Sequence, residues 1–167
     1  LTLSFVIFAN FALWVAFLIG RQIPVVLQFA KFGAVGALGT LLDLGVLNTL
    51  IALTGTAVGY AYAGFKGISF VIAALNSYFV NRYWTFGVKE SANLKEFGQF
   101  FFVSAIGFLL NTGIASLVVN YIGAPADISL ERWANVGALV AVIVSFLWNF
   151  LGYKFIVFSA KGESASG

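Results

Sequence analysis

Asp43 is the residue in this sequence whose chemistry most needs an explanation. It follows Lys31 by twelve residues, and everything between them is apolar, glycine or threonine. Along a helix that separation is ~18 Å, which lies beyond the midplane of a hydrocarbon layer about 30 Å thick. An ionised carboxylate at that depth costs several kcal/mol unless it is paired or hydrated. Two uses fit it: a hydrogen bond that ties helices together, or a functional polar contact on a path through the membrane. Lys66 is a candidate partner. It precedes Arg82 by sixteen residues, ~24 Å of helix. Its long stem can reach towards Asp43 or carry the ammonium outward to the interface. Where the two meet, each makes the other's charge tolerable, and a lipid phosphate can compete for Lys66.

Arg82 and Lys154 each close an apolar segment. Cations there anchor helix ends on the cytoplasmic side. They also suit a phosphate at headgroup depth, arginine especially, because its planar fork donates two parallel hydrogen bonds. Asn76, Asn81 and Asn149 lie near the same ends. Their amides can bridge helices, the commoner use, or bind sugar hydroxyls. Trp84, Tyr83, Tyr153 and Phe155 read as interfacial anchors. Gly33, Gly36 and Gly39 form a small-residue stripe that lets backbones approach closely, within the chain or between two copies. No strand precedes the stripe and no Gly-Lys-Ser/Thr follows, so it is not a nucleotide loop.

With no cysteine and no histidine, disulfides, thiolate nucleophiles, Cys/His metal sites and a Ser-His-Asp triad are excluded. The six carboxylates are scattered. The nearest pairs, Glu90/Glu96 and Asp127/Glu131, read as solvated loop charge. An enzyme is therefore not expected, nor a cofactor, a metal or a nucleic-acid partner.

The elements that hold these residues must be membrane helices. Of 167 residues, 61% are hydrophobic and 9% charged, and the mean hydropathy is +1.00. A soluble domain carries about 25% charged residues, and a core this small cannot hide so much apolar surface. Five segments approach the roughly 20 residues a spanning helix needs: 1–20, about 32–53, about 60–80, 97 to about 122, and 133–153. Runs such as Phe100-Phe101-Phe102-Val103 do not alternate as barrel strands do. The first segment lacks a basic leader and a small-residue cleavage site, so it is expected to be an extra helix rather than a signal peptide. Arg21, Lys31, Arg82, Lys89, Lys95, Lys154 and Lys161 all fall on one side of such an arrangement. That side is expected to be cytoplasmic, with the C-terminus, and Leu1 outside.

The chain also carries a duplication. Residues 29–45 align without gaps on 97–113, which pairs Asp43 with Asn111. Asn81-Arg82-Tyr83-Trp84-Thr85-Phe86 aligns on Tyr153-Lys154-Phe155-Ile156-Val157-Phe158. The expected fold is all-α and polytopic: two parallel helical-hairpin repeats, about 27–88 and 95–158, related by an axis near the membrane normal. The expected organisation is an extra helix over 1–26, a four-helix domain over 27–160 and a polar tail over 161–167.

Taken together, these residues resemble the GtrA-like family of small membrane proteins. The resemblance is carried by Phe-Gly-Ala-Val-Gly-Ala-Leu-Gly-Thr-Leu-Leu-Asp-Leu-Gly, by Ile68-Ser69-Phe70 leading to Asn76-Ser77-Tyr78, and by the string from Asn81 to Phe86. The second half adds the string from Ser145 to Phe150, then Lys154 and Phe158. The family's usual four helices do not include residues 1–20, and an Arg and a Trp are more typical where Lys154 and Ile156 stand.

The resemblance implies translocation of polyprenyl-phosphate-linked sugars across the cytoplasmic membrane in cell-envelope glycan synthesis. Arg82, helped by Lys154, would then capture the phosphate from the cytoplasmic side. Asp43, Asn48, Asn111 and Lys66 would offer polar contacts deeper, and a groove between the repeats would carry the head while the tail stays in lipid. No energy-coupling motif is visible, so the cargo gradient drives transport unless Asp43 exchanges protons. The partner implied is the lipid-linked sugar. Separately, a unit this small is expected to need a second copy of the chain to enclose a path, with the Gly33, Gly36 and Gly39 stripe as the contact. One alternative reading is a non-catalytic anchor for a polyprenyl-phosphate glycosyltransferase, which would then be the partner. Another is a small multidrug-resistance-like exporter, against which a lysine near the embedded acid counts.

Overall fold

The computed structural model describes residues 23–159, together with Trp14 and Gly20. Apart from those two positions, the extra N-terminal helix expected over 1–20 lies outside the described residues, as do Arg21 and Lys161. The described residues form four long helices and no strand: α1 (Pro24–Thr54), α2 (Gly59–Val80), α3 (Leu94–Leu117) and α4 (Leu130–Gly152). All four are long and apolar enough to cross a bilayer.

Local chemistry sets their ends. Pro24 opens α1, where its fixed φ suits the first helical turn and its missing N–H is not needed. Gly55 closes α1 in the left-handed conformation, φ 68°, and its N–H donates to the Ile51 carbonyl at 2.8 Å. Left-handed backbone here favours glycine, which has no Cβ to clash. Asn93 caps α3 by accepting from the Glu96 N–H at 2.9 Å. Ser129 does the same for α4, from Arg132 N–H. Both helices start about three residues before their apolar runs, because a capping residue and a charged first turn leave no hydropathy signal.

Three helices run directly into π-helical turns: α2 into Asn81–Thr85, α3 into Val118–Ile122 and α4 into Tyr153–Val157. The first and last occupy the positions that the duplication aligns. Each is closed by the same five-residue bond, Phe86 N–H to Asn81 O and Phe158 N–H to Tyr153 O, both 2.9 Å.

The chain divides into two compact units between Lys89 and Glu90. In the first, α1 packs on α2, with Phe32, Val35, Leu47, Ala73 and Tyr78 buried. In the second, α3 packs on α4, with Phe100, Val103, Ala141, Phe150 and Tyr153 buried. Large apolar side chains elsewhere, such as Leu41, Phe108 and Leu139, are exposed. Helices that are apolar on nearly every face are built for lipid or for other helices.

Candidate functional site

In the first unit, α1 and α2 bring Asp43 and Lys66 together. The Lys66 ammonium donates to Asp43 Oδ2. Ser69 Oγ lies 2.6 Å from Asp43 Oδ1, to which it donates, and 3.0 Å from the Lys66 carbonyl. Ser69 is fully buried, while Asp43 and Lys66 keep 21% and 43% of their side-chain surface exposed. Ser69 follows Lys66 by three residues and so shares its face of α2. That spacing was the available signal for a residue the sequence reading passed over as part of a string.

Asp43 also lines an open groove of about 270 Å³ on this hairpin. Gly36, Gly39 and Thr40 of α1 continue it, opposite Phe70, Ala73, Ala74 and Ser77 of α2. On each helix the lining residues lie within seven steps along the chain, 36 to 43 and 70 to 77, so the groove is ~10 Å long. A Cβ added at Gly36 or Gly39 would meet nothing within 4 Å. These two glycines of the expected packing stripe therefore leave this wall of the groove open. Gly33 is half-buried one turn earlier on α1.

From the Gly36–Ser77 end the groove points towards the π-turn of α2. There Lys31 donates to the Trp84 carbonyl at 3.1 Å, with its ammonium 5.3 Å from the centre of the Trp84 ring. Asn81 Nδ2 donates to Ser77 Oγ at 3.3 Å. Arg82 has no exposed surface, and its guanidinium carbon stands 4.9 Å from the centre of the Tyr83 ring. Burial keeps Arg82 out of reach of a lipid phosphate in this conformation. The half-buried Lys31, which the sequence reading used only for orientation, presents the accessible ammonium at the same turn.

The remaining site residues separate. Asn48 is exposed on α1, and five residues from Asp43 place it ~140° around the helix. Asn76 is half-buried beside Ser77, and its Nδ2 is without a hydrogen-bond partner. In the second unit Asn111 Nδ2 donates to Ser145 Oγ at 3.2 Å. Asn149 is packed so closely on Gly107 that an added Cβ there would lie 2.3 Å from its Oδ1. Lys154 is half-buried, its ammonium 6.0 Å from the Phe150 ring centre and 5.7 Å from that of Phe155.

Two further expectations are corrected. Tyr153 is not an interfacial anchor: it is buried, its hydroxyl shares a 2.6 Å hydrogen bond with Ser104 Oγ, and its ring centre lies 4.7 Å from that of Phe100. The π-turn carries its side chain into the hairpin, whereas Tyr83 and Phe155 remain exposed. Glu96 is not solvated loop charge either. It sits buried in the first turn of α3, where the helix N-terminus favours an anion. Among the described residues, no three His, Cys, Asp or Glu side chains cluster as metal ligands.

Comparison with known proteins agrees with this architecture. The family model described as "GtrA/DPMS, transmembrane domain" matches residues 31–158, which takes in all of the second hairpin and all but the first turns of α1 in the first. The chain is similar to the uncharacterized membrane protein YngA of Bacillus subtilis (strain 168), with 33% identity over 128 residues, covering 77% of each chain. No solved structure matches. With four membrane-spanning helices among the described residues and a family match over most of its length, the chain is a multi-pass membrane protein that belongs to the GtrA/DPMS transmembrane-domain family.

Proposed function

We propose that the protein translocates a polyprenyl-phosphate-linked sugar across the cytoplasmic membrane, with its basic loops and C-terminus on the cytoplasmic side. The observation that carries this reading is the open groove on the first hairpin, which leads inward to Asp43 and Lys66. The cargo has an apolar tail that is at home in lipid and a polar head that is not. Only the head needs a path. Small and hydroxylated residues leave room for it, and two cations beyond the groove, Lys66 paired with Asp43 and Lys31 at the π-turn, suit its phosphate. In this reading Arg82 shapes the π-turn from inside, and Lys154 is a second surface cation on the other hairpin. The protein is then a carrier, not an enzyme. The exporter reading needs a carboxylate free to exchange protons, whereas Asp43 is bonded by both Lys66 and Ser69.

The test is reconstitution in liposomes with a labelled polyprenyl-phosphate hexose in both leaflets. Transfer is followed as label becoming accessible to a membrane-impermeant sugar-modifying reagent. Protein-dependent transfer is expected, and Lys66→Ala should slow it by about tenfold or more. Absence of transfer above empty liposomes, across several lipid-linked sugars, would leave the anchor reading. The next step would then be to look for a glycosyltransferase that co-purifies.

A further inference from the structure

We propose that Asp43 and Lys66 form a two-part recognition site that admits a sugar-bearing lipid phosphate and rejects the bare carrier phosphate. Lys66 takes a phosphate oxygen and Asp43 takes sugar hydroxyls. The choice of lipid rests on the function proposed above; the discrimination is new. In the empty protein each half of the site is filled by the other, since Lys66 donates to Oδ2 of Asp43 while Ser69 holds Oδ1 at 2.6 Å. Ser69 closes the back of the site, and Asp43 faces the groove.

A phosphate oxygen arriving at Lys66 is an acceptor of the same kind as the carboxylate it displaces, so the ammonium stays paired throughout. Asp43 fares differently. A carboxylate offers about four acceptor positions, and after the exchange only the Ser69 hydroxyl remains on it. An anion left that bare in a membrane interior is costly. A sugar on the same phosphate supplies O–H donors within a few ångströms, and the groove beside Asp43 gives it space. The bare carrier brings no such donors. As a monoester it also carries more than one negative charge, about −1.5 to −2, against one for the diester, so its repulsion with Asp43 is larger. Both effects favour the glycosylated lipid.

The second hairpin shows what the site is without these groups. Asn111 stands in place of Asp43 and is bonded to Ser145 at 3.2 Å. Alignment through Asn81 and Tyr153 puts Ala138 in place of Lys66. A neutral pair is therefore accommodated at this depth of the same scaffold.

The test is equilibrium binding of two probes to the purified full chain in nanodiscs, polyprenyl-phosphate hexose and polyprenyl phosphate, read by native mass spectrometry. The wild type should prefer the glycosylated probe by about tenfold. Asp43→Asn should bring the two within about twofold, chiefly by binding the bare phosphate better. The double variant Asp43→Asn/Lys66→Gln leaves the site neutral, as that of the second hairpin is, and should bind neither probe above background. Equal binding of both probes by the wild type overturns the proposal. So does an undiminished preference in Asp43→Asn or in the double variant. Binding and transfer fail separately: a preference without liposome transfer sinks the translocation reading and leaves the recognition site standing. Transfer without a preference does the reverse.

Discussion

The two hairpins start from one repeated sequence and treat the space between their helices in opposite ways. In the first, Gly36, Ala74 and Ser77 leave a groove whose inner end is an ion pair. In the second, the equivalent positions are Ser104, Phe146 and Asn149. Ser104 bonds Tyr153, Asn149 covers Gly107, and the polar pair at the Asp43 level is neutral. The scaffold tolerates either outcome. What differs is a handful of side-chain volumes and one exchange of charge for amide, so the difference is chemical rather than architectural.

The first hairpin can therefore be converted towards the second. Ala74→Phe with Ser77→Asn should fill the groove and slow lipid transfer by about tenfold or more, with the unfolding midpoint in detergent unchanged. Normal transfer by this double variant would break the comparison. A smaller effect separates two glycines at matching positions. Gly107→Ala forces a Cβ against Asn149 and should cost about 1 kcal/mol, the low end for overpacking, because the amide can turn aside. Gly39→Ala opens onto the groove and should leave stability unchanged. Equal stabilities, measured by denaturant titration in detergent micelles, would mean that the second hairpin is as open as the first. The smallest effect is expected from Tyr153→Phe. It removes the bond to Ser104 and should destabilise by about 0.6 kcal/mol, as for a typical interhelical hydrogen bond in a membrane protein. Unchanged stability there would show that ring packing, not the hydroxyl, closes the second hairpin.

Much of this fold is legible in the sequence because lipid imposes a simple rule: long apolar segments are helices, and a charge inside one is an anomaly. Asp43 and Lys66 stood out for that reason, although hydropathy left Lys66 two destinations and only the packing of α1 on α2 chose between them. The alignment of Asp43 with Asn111 likewise located the polar level of both hairpins. The π-turns were not legible. Asn81–Thr85 and Tyr153–Val157 have compositions that would serve an α-helix, and the change lies in which carbonyl each N–H selects. Missing them misplaced Tyr153, whose direction depends on that turn, and left Arg82 looking like a surface cation. Glu96 was misread for a related reason, since a charged residue in a helix's first turn resembles loop charge until the cap at Asn93 is seen.

The length of α1 makes the bilayer itself a variable. Its 31 residues give a helix ~46 Å long, against a hydrocarbon layer of about 30 Å. A tilt of about 20° shortens its projection by only ~3 Å. More than two turns must therefore project into the headgroups, at one end or shared between both. Thinner and thicker membranes will divide that surplus differently. The depth of Asp43 is thus set jointly by the helix and by the lipid around it, so the same protein holds its ion pair at different levels in membranes of different thickness.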